Sequence, residues 1–346
     1  MAKPIKITKC EVFGLRIPFD KRVRENMIRN YQRENSDRAD YTPWIVRIST
    51  DAGITGIGEA NAAPGPAADR VVGRSVWELL HDGSVGGAIM IAIYDVVGQA
   101  LGLPVCRLFS TTPRKTIQQI WWSHSFRPAL MAAEAKLGVQ LGYRVHKIKA
   151  RPYEDTAEQV AAMAGAVPQD YQILVDANGS YGSAGKTLAV AEALKKYPQV
   201  KGFEQPIAHE DIVGYREIRK HLPFRLAVHW EAVDTRAFIL ESICDAFVVE
   251  DWHWGPALMA KGAMCELSGQ KLWVENGLFS GISQVFQAHI TAALPEVEYT
   301  ISLTHIAEDD VVVEPFTLKD GVYHVPQKPG LGVTLDEAAL KKYRVV

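Results

Sequence analysis

Three short stretches of this 346-residue chain carry side chains able to do acid–base and metal chemistry. They are Lys147-Ile148-Lys149, Val175-Asp176-Ala177-Asn178-Gly179 and Phe203-Glu204-Gln205-Pro206. On an extended backbone, Lys147 and Lys149 point to the same side. A buried ammonium must be paired or neutralised, so an inward pair is hard to explain without a use. The plainer alternative is a pair of exposed edge lysines. Asp176 and Glu204 would repel each other in a shared space unless a cation lay between them. A hard divalent ion with oxygen ligands, above all Mg2+, meets that need. A nearby cation also lowers a lysine's pKa, which suits it to general-base work.

The elements around these stretches must bring them together. Short β-branched runs fall at 118–122, 144–149, 172–177, 200–204, 225–228, 246–250, 271–275 and 299–303. Amphipathic helical stretches at 156–166, 184–196 and 280–293 lie between some of them. Strand–helix alternation implies parallel strands with crossover helices. Eight such units over about 200 residues match a (β/α)8 TIM-type barrel, whose chemistry sits at the C-terminal ends of its strands. All three stretches lie at such ends. A doubly wound sheet competes, but no Gly-x-Gly-x-x-Gly follows an early strand.

The first third reads differently, as α+β. Residues 44–50 and 54–59 form a hairpin across Asp51-Ala52-Gly53. A helix is expected over 86–101, stopped by Gly102 and Pro104. Residues 21–40 read as a polar loop, and the tail beyond 315 does not continue the repeat. The expected division is 1–115, 116–315 and 316–346.

In order at successive strand ends, Lys-x-Lys, Asp-Ala-Asn and Phe-Glu-Gln-Pro resemble the mandelate racemase/muconate lactonizing enzyme branch of the enolase superfamily. Thr55-Gly56-Ile57-Gly58-Glu59-Ala60, the run from Ala92 to Pro104, and Pro329-Gly330-Leu331-Gly332-Val333 extend the resemblance over nearly the whole chain. The resemblance implies a capping domain, built from the N-terminal third and the C-terminal tail, over the barrel mouth. It implies abstraction of a proton α to a carboxylate, with an enediolate intermediate stabilised by Mg2+. Lys149 maps onto the base, Lys147 onto its partner, and Asp176 and Glu204 onto two metal ligands. The polar stretch 21–40, with Arg24 and Asn26, maps onto the cap loop that closes over substrate.

Departures from the family pattern follow. The fifth strand ends Val228-His229-Trp230-Glu231, where an acid is usual. His229 is the expected third ligand, which favours a softer divalent metal than Mg2+. Glu231 reaching the ion after a local shift, or an empty third position, are the alternatives. The sixth strand ends Val249-Glu250-Asp251-Trp252-His253, making Glu250 and His253 candidate catalytic groups. The seventh ends Glu275-Asn276, without the histidine of the family's Asp–His dyad. Six of the eight tryptophans (121, 122, 230, 252, 254 and 273) fall near strand ends. Singly, each is better read as core packing. Together they suggest stacking on a sugar acid or holding an N-methylated amino acid. Trp122, Asn178, Trp230, Trp252 and Asn276 are therefore the expected substrate contacts.

The favoured reaction is dehydration of a hydroxy acid resembling a sugar acid. The alternatives are a racemase, epimerase or cycloisomerase acting on an amino-acid-like carboxylate, and a non-catalytic binding protein on the same fold. A net charge of −2 excludes nucleic acid and anionic membranes as default partners. No apolar run reaches membrane-spanning length, and no signal peptide is evident. Four scattered cysteines fit free thiols in a reducing cytoplasm. The expected partner is a small-molecule carboxylate, bound by a homo-oligomer.

Overall fold

The computed structural model describes residues 4–250, 255–275, 277–319 and 321–346. Eight strands close a barrel in chain order. They are Gln119–Ser123, Val145–Lys149, Gln172–Asp176, Val200–Glu204, Arg225–His229, Ala246–Val249, Lys271–Val274 and Val297–Ser302. All neighbours are parallel, and the eighth closes on the first, with Thr300, Ile301 and Ser302 opposite Gln119, Ile120 and Trp121. The strands lie where the β-branched runs predicted them, within two residues at either end. The crossover helices begin on sequence-encoded caps. Asp155, Ser183, Asp211, Asp234 and Ser280 each accept a backbone N–H from the first turn. Such a cap contributes about 1 kcal/mol and sets where the chain leaves the barrel rim.

The N-terminal third builds an antiparallel sheet from Ile7–Gly14, Trp44–Thr50 and Thr55–Ala60. The helix Gly87–Leu101 lies on it. Contact is close enough to require glycine at position 58, where a Cβ would stand 1.9 Å from the Ala88 carbonyl oxygen. The tail returns to this unit. Val345 N donates to Gly14 O at 2.8 Å, and Leu331 N to Asp95 Oδ1 at 2.8 Å.

Residues 21–40 are not a loop throughout, since Arg24–Arg33 is helical. Val23, Met27, Asn30 and Tyr31 carry its inward period. Only Met27 of the helix is an aliphatic residue at full burial, so the charged outer face masked the pattern. Among the described residues no helix is long and apolar enough to cross a membrane. All four cysteines are free.

Candidate active site

The second barrel strand presents Lys147 and Lys149 to the mouth, while His146 turns the other way and meets Ser123 Oγ at 2.9 Å. Lys147 is completely buried, and its charge is met from three sides. Its Nζ lies 2.6 Å from Glu204 Oε1, 3.0 Å from Glu275 Oε1 and 3.2 Å from Asp176 Oδ2. Burial opposes its charge, but these carboxylates outweigh burial and hold its pKa well above that of a free lysine. Lys149, nearer the opening, pairs with Asp176 Oδ2 and donates to Asn178 Oδ1 at 2.9 Å.

The acids respond differently to the same burial. Asp176 would be pushed up by desolvation, yet Lys149 and Lys147 hold it far below the usual carboxylate range. Glu275 is likewise held down, to about 2, against burial, by Lys147, Lys149 and His229. Glu204 goes up, because burial and the neighbouring Asp176 charge exceed what Lys147 returns. Its Oε2 is buried and has no hydrogen-bond partner among the described residues.

His229 ends the fifth strand at the edge of this cluster. Its Nε2 is 3.4 Å from Glu204 Oε1 and 3.6 Å from Glu275 Oε2, and its Nδ1 is 3.3 Å from Glu250 Oε1. Burial lowers its pKa, but Glu204, Glu250 and Glu275 prevail and raise it to about 10. One ligand atom each from Glu204, His229 and Glu275 falls within a 4.8 Å spread, close enough to share a cation. Asp176, expected among the ligands, has both oxygens engaged: Oδ2 by the lysines, Oδ1 by the backbone N–H of Asn178 at 3.0 Å. Glu275, at the end of the seventh strand, offers an oxygen to that group as well. In sequence Glu275 is marked only by following a strand end, as Glu250 does.

Outside the cluster a cavity of about 310 Å3 opens between the loops after strands three to six. Asn178, His209, His229, Glu231, Ala232 and Glu250 line it. Glu231 is paired with Lys261 in this outer wall rather than turned to the buried acids. The second wall of the mouth is the helix Arg24–Arg33, clamped to the loops after strands one and two. Asn30 Nδ2 donates to Ser125 O at 2.7 Å, and Arg151 Nε donates to Glu34 Oε1 at 2.7 Å.

The structure thus gathers Lys147, Lys149, Asp176, Asn178, Glu204, His229 and Glu250. Of the tryptophans in the described residues it sets Trp122 opposite Lys147 in the strand register. Trp121 and Trp273 are fully buried, and Trp122 packs edge-on against His124, its carbonyl accepting from His305. Trp230 rests on Phe247 with Lys261 over its ring, outside the cavity lining. For Trp121, Trp230 and Trp273, nearness to strand ends in sequence reflects packing rather than a place in the cavity lining. Arg24 is spent on Phe19 O and Glu308, and Asn26 on Arg29. Trp252, His253, Trp254 and Asn276 lie outside the described residues.

Comparisons with known proteins agree with this architecture. The chain is 26% identical to D-gluconate dehydratase of Thermoproteus tenax, a match covering 74% of this chain but only 55% of that enzyme. It is 24% identical to N-succinyl-L-Arg/Lys racemase of Bacillus cereus over 99% of this chain and 98% of the racemase. The crystal structure of the Bacillus cereus racemase superposes with a TM-score of 0.81 at 21% identity, again over 99% and 98% of the two chains. Muconate cycloisomerase 1 of Pseudomonas putida is 26% identical over 73% of this chain and 69% of its own length. Residues 130–339 match the family model described as enolase C-terminal domain-like. With a closed barrel, charged strand ends and relatives of this kind, the chain belongs to the enolase superfamily, in its mandelate racemase/muconate lactonizing branch.

Proposed function

We propose that this chain abstracts the proton α to a carboxylate and eliminates water from a hydroxy acid resembling a sugar acid. The observation that carries this is the lysine pair projecting from one strand. Lys149, the outer of the two, takes the α-proton. Once protonated, it stands on the same face as the departing β-hydroxyl and returns the proton to it as water leaves. The substrate gives up one proton and one hydroxide, and the enol that remains becomes a 2-keto acid. Lys147, held charged by three carboxylates, fixes the electrostatics of the floor on which the substrate carboxylate rests.

The residues present fit a divalent cation. Glu204 offers a buried, unpartnered oxygen among the described residues, and Glu275 and His229 offer one atom each beside it. A bound cation supplies positive charge to the developing enediolate. Two carboxylates suit Mg2+, and the imidazole widens the choice toward softer ions such as Mn2+ or Zn2+. Glu250, at His229 Nδ1, orients the ring so that Nε2 faces inward. The D-gluconate dehydratase and an arabinonate dehydratase of Saccharolobus solfataricus, 25% identical to this chain, support the dehydratase reading.

One observation favours a second reading. Glu250, which follows the sixth strand, lies across the eight-stranded barrel from the lysine strand. A proton donor there would make the pair of sites a racemase or epimerase. Incubation with pentonates and hexonates in D2O separates the two. Accumulation of a 2-keto-3-deoxy acid is the expected result. Inversion at the α-carbon with deuterium uptake and no water loss would replace the dehydratase by the isomerase.

A further inference from the structure

The cap helix Arg24–Arg33 sits on the barrel with little apolar adhesion. Met27 and Asn30 are its buried residues, so polar contacts must supply much of what holds it. They converge on Glu34, which follows the last turn. One oxygen, Oε1, faces three donors: Arg151 Nε at 2.7 Å, Tyr153 OH at 3.3 Å and His124 Nε2 at 3.5 Å. Ser125 N donates to His124 Nδ1 at 2.8 Å, so the ring proton lies on Nε2, toward Glu34. Burial raises the Glu34 pKa, but His124 and Arg151 outweigh burial and hold it at about 2. Glu34 is therefore a charged acceptor near neutral pH.

These donors surround the proposed base. Trp122 is opposite Lys147 in the register of the first two strands. Continued by two residues, that register sets His124 beside Lys149, whose charge acts on the imidazole. His124 is buried there. Arg151 follows Lys149 by two residues on its own strand's exit. Glu34 is the ion-pair partner of Arg151, whose Nη1 is buried without a hydrogen bond among the described residues. A neutral side chain at position 34 would leave that guanidinium uncompensated and the end of the helix unheld. Asn30, bonded to Ser125 O at 2.7 Å, would still hold its middle. One carboxylate thus ties the cap helix to both groups that flank Lys149.

We propose that Glu34 is a positioning residue: it seats the cap helix on the exits of the first two strands and so keeps the mouth over Lys149 formed before substrate arrives. This rests on the reading of Lys149 as the base. A mouth formed only part of the time weakens apparent substrate affinity in proportion and leaves the chemical step alone. The test has two arms, each run on wild type, Glu34→Gln and Glu34→Asp. The first reads backbone amide hydrogen exchange without substrate, which reports local opening. Glu34→Gln should speed exchange over residues 24–33 by at least about tenfold, the scale of one hydrogen bond to a charged group, with the barrel strands unchanged. The second reads α-proton exchange of aldonic acids and N-acyl amino acids in D2O. Glu34→Gln should raise KM by a similar factor at little-changed kcat. Glu34→Asp, which keeps the charge, should restore part of both losses. Unaltered amide exchange over 24–33, or acceleration spread through the barrel, would overturn the assignment, and so would a loss confined to kcat. If no acid exchanges its α-proton in wild type, the reading of Lys149 fails and the amide arm alone upholds or overturns the seat.

Discussion

Asp176 and Glu275 are both buried acids at strand ends, yet they stand in different company. Asp176 neutralises the two lysines, whereas Glu275 shares a cation-sized space with Glu204 and His229. Glu275→Gln should therefore weaken Mn2+ binding by more than about 100-fold, beyond the loss typical of residues that merely orient a ligand. Asp176→Asn should weaken it less, and Glu250→Gln by about 10- to 100-fold. Calorimetric titration of the metal-free protein checks the order, and a greater loss in Asp176→Asn than in Glu275→Gln would mark Asp176 as the ligand in preference to Glu275. Most of this site was legible from residue type and position, because barrel geometry turns a strand end into an address. Glu275 was not singled out because acids at strand ends look alike in sequence, and only the folded barrel shows that it shares the space between Glu204 and His229. Nearness to a strand end was a weak guide for Trp121, because neighbouring residues of a strand face opposite sides and only Trp122 shares the lysine face.

At the scale of elements, the barrel strands were legible because each is a short β-branched run bounded by a turn or a capped helix. The helix Arg24–Arg33 was not, because its buried face is carried by few apolar residues. The strand Thr55–Ala60 and helix Gly87–Leu101 depend on a glycine pair. A Cβ at position 56 would stand 2.3 Å from Ala92 O, and at 58 it would stand 1.9 Å from Ala88 O. Backbone cannot yield as a side chain tip does. Gly58→Ala should therefore cost at least about 3 kcal/mol, the upper end for overpacking. Urea denaturation checks this, and a loss under 1 kcal/mol, about the cost of ordinary substitutions, would show that the helix moves freely off the sheet.

Across the whole molecule, the cap sheet and the barrel are joined by a buried carboxyl. Glu59 ends the third cap strand and accepts from Ser280 N, Ser280 Oγ and Ser283 N at the start of a barrel helix. Burial, only partly offset by these bonds, raises its pKa from 4.5 to about 7. Asp95, which holds Ile57 and Leu331 of cap and tail, is raised to about 6 for the same reason. A carboxyl with a raised folded-state pKa binds its proton more tightly when folded. Stability from Glu59 is thus fully present below its unfolded pKa and falls as pH rises toward about 7, by up to about 3 kcal/mol. Wild type should lose stability relative to Glu59→Gln between pH 5 and pH 8, as read from urea midpoints. A difference independent of pH would mean that Glu59 is ionised throughout this range.

We propose that Lys149 removes the proton α to a carboxylate with a divalent cation in place. Proton exchange in D2O tests it without knowing the product. Wild type with Mn2+ or Mg2+ should exchange the α-proton of at least one member of a panel of aldonic acids and N-acyl amino acids. Lys149→Ala should slow that exchange by about 100- to 10,000-fold, the range for a general base, with its metal binding retained. Exchange that survives undiminished in Lys149→Ala would rule Lys149 out as the base.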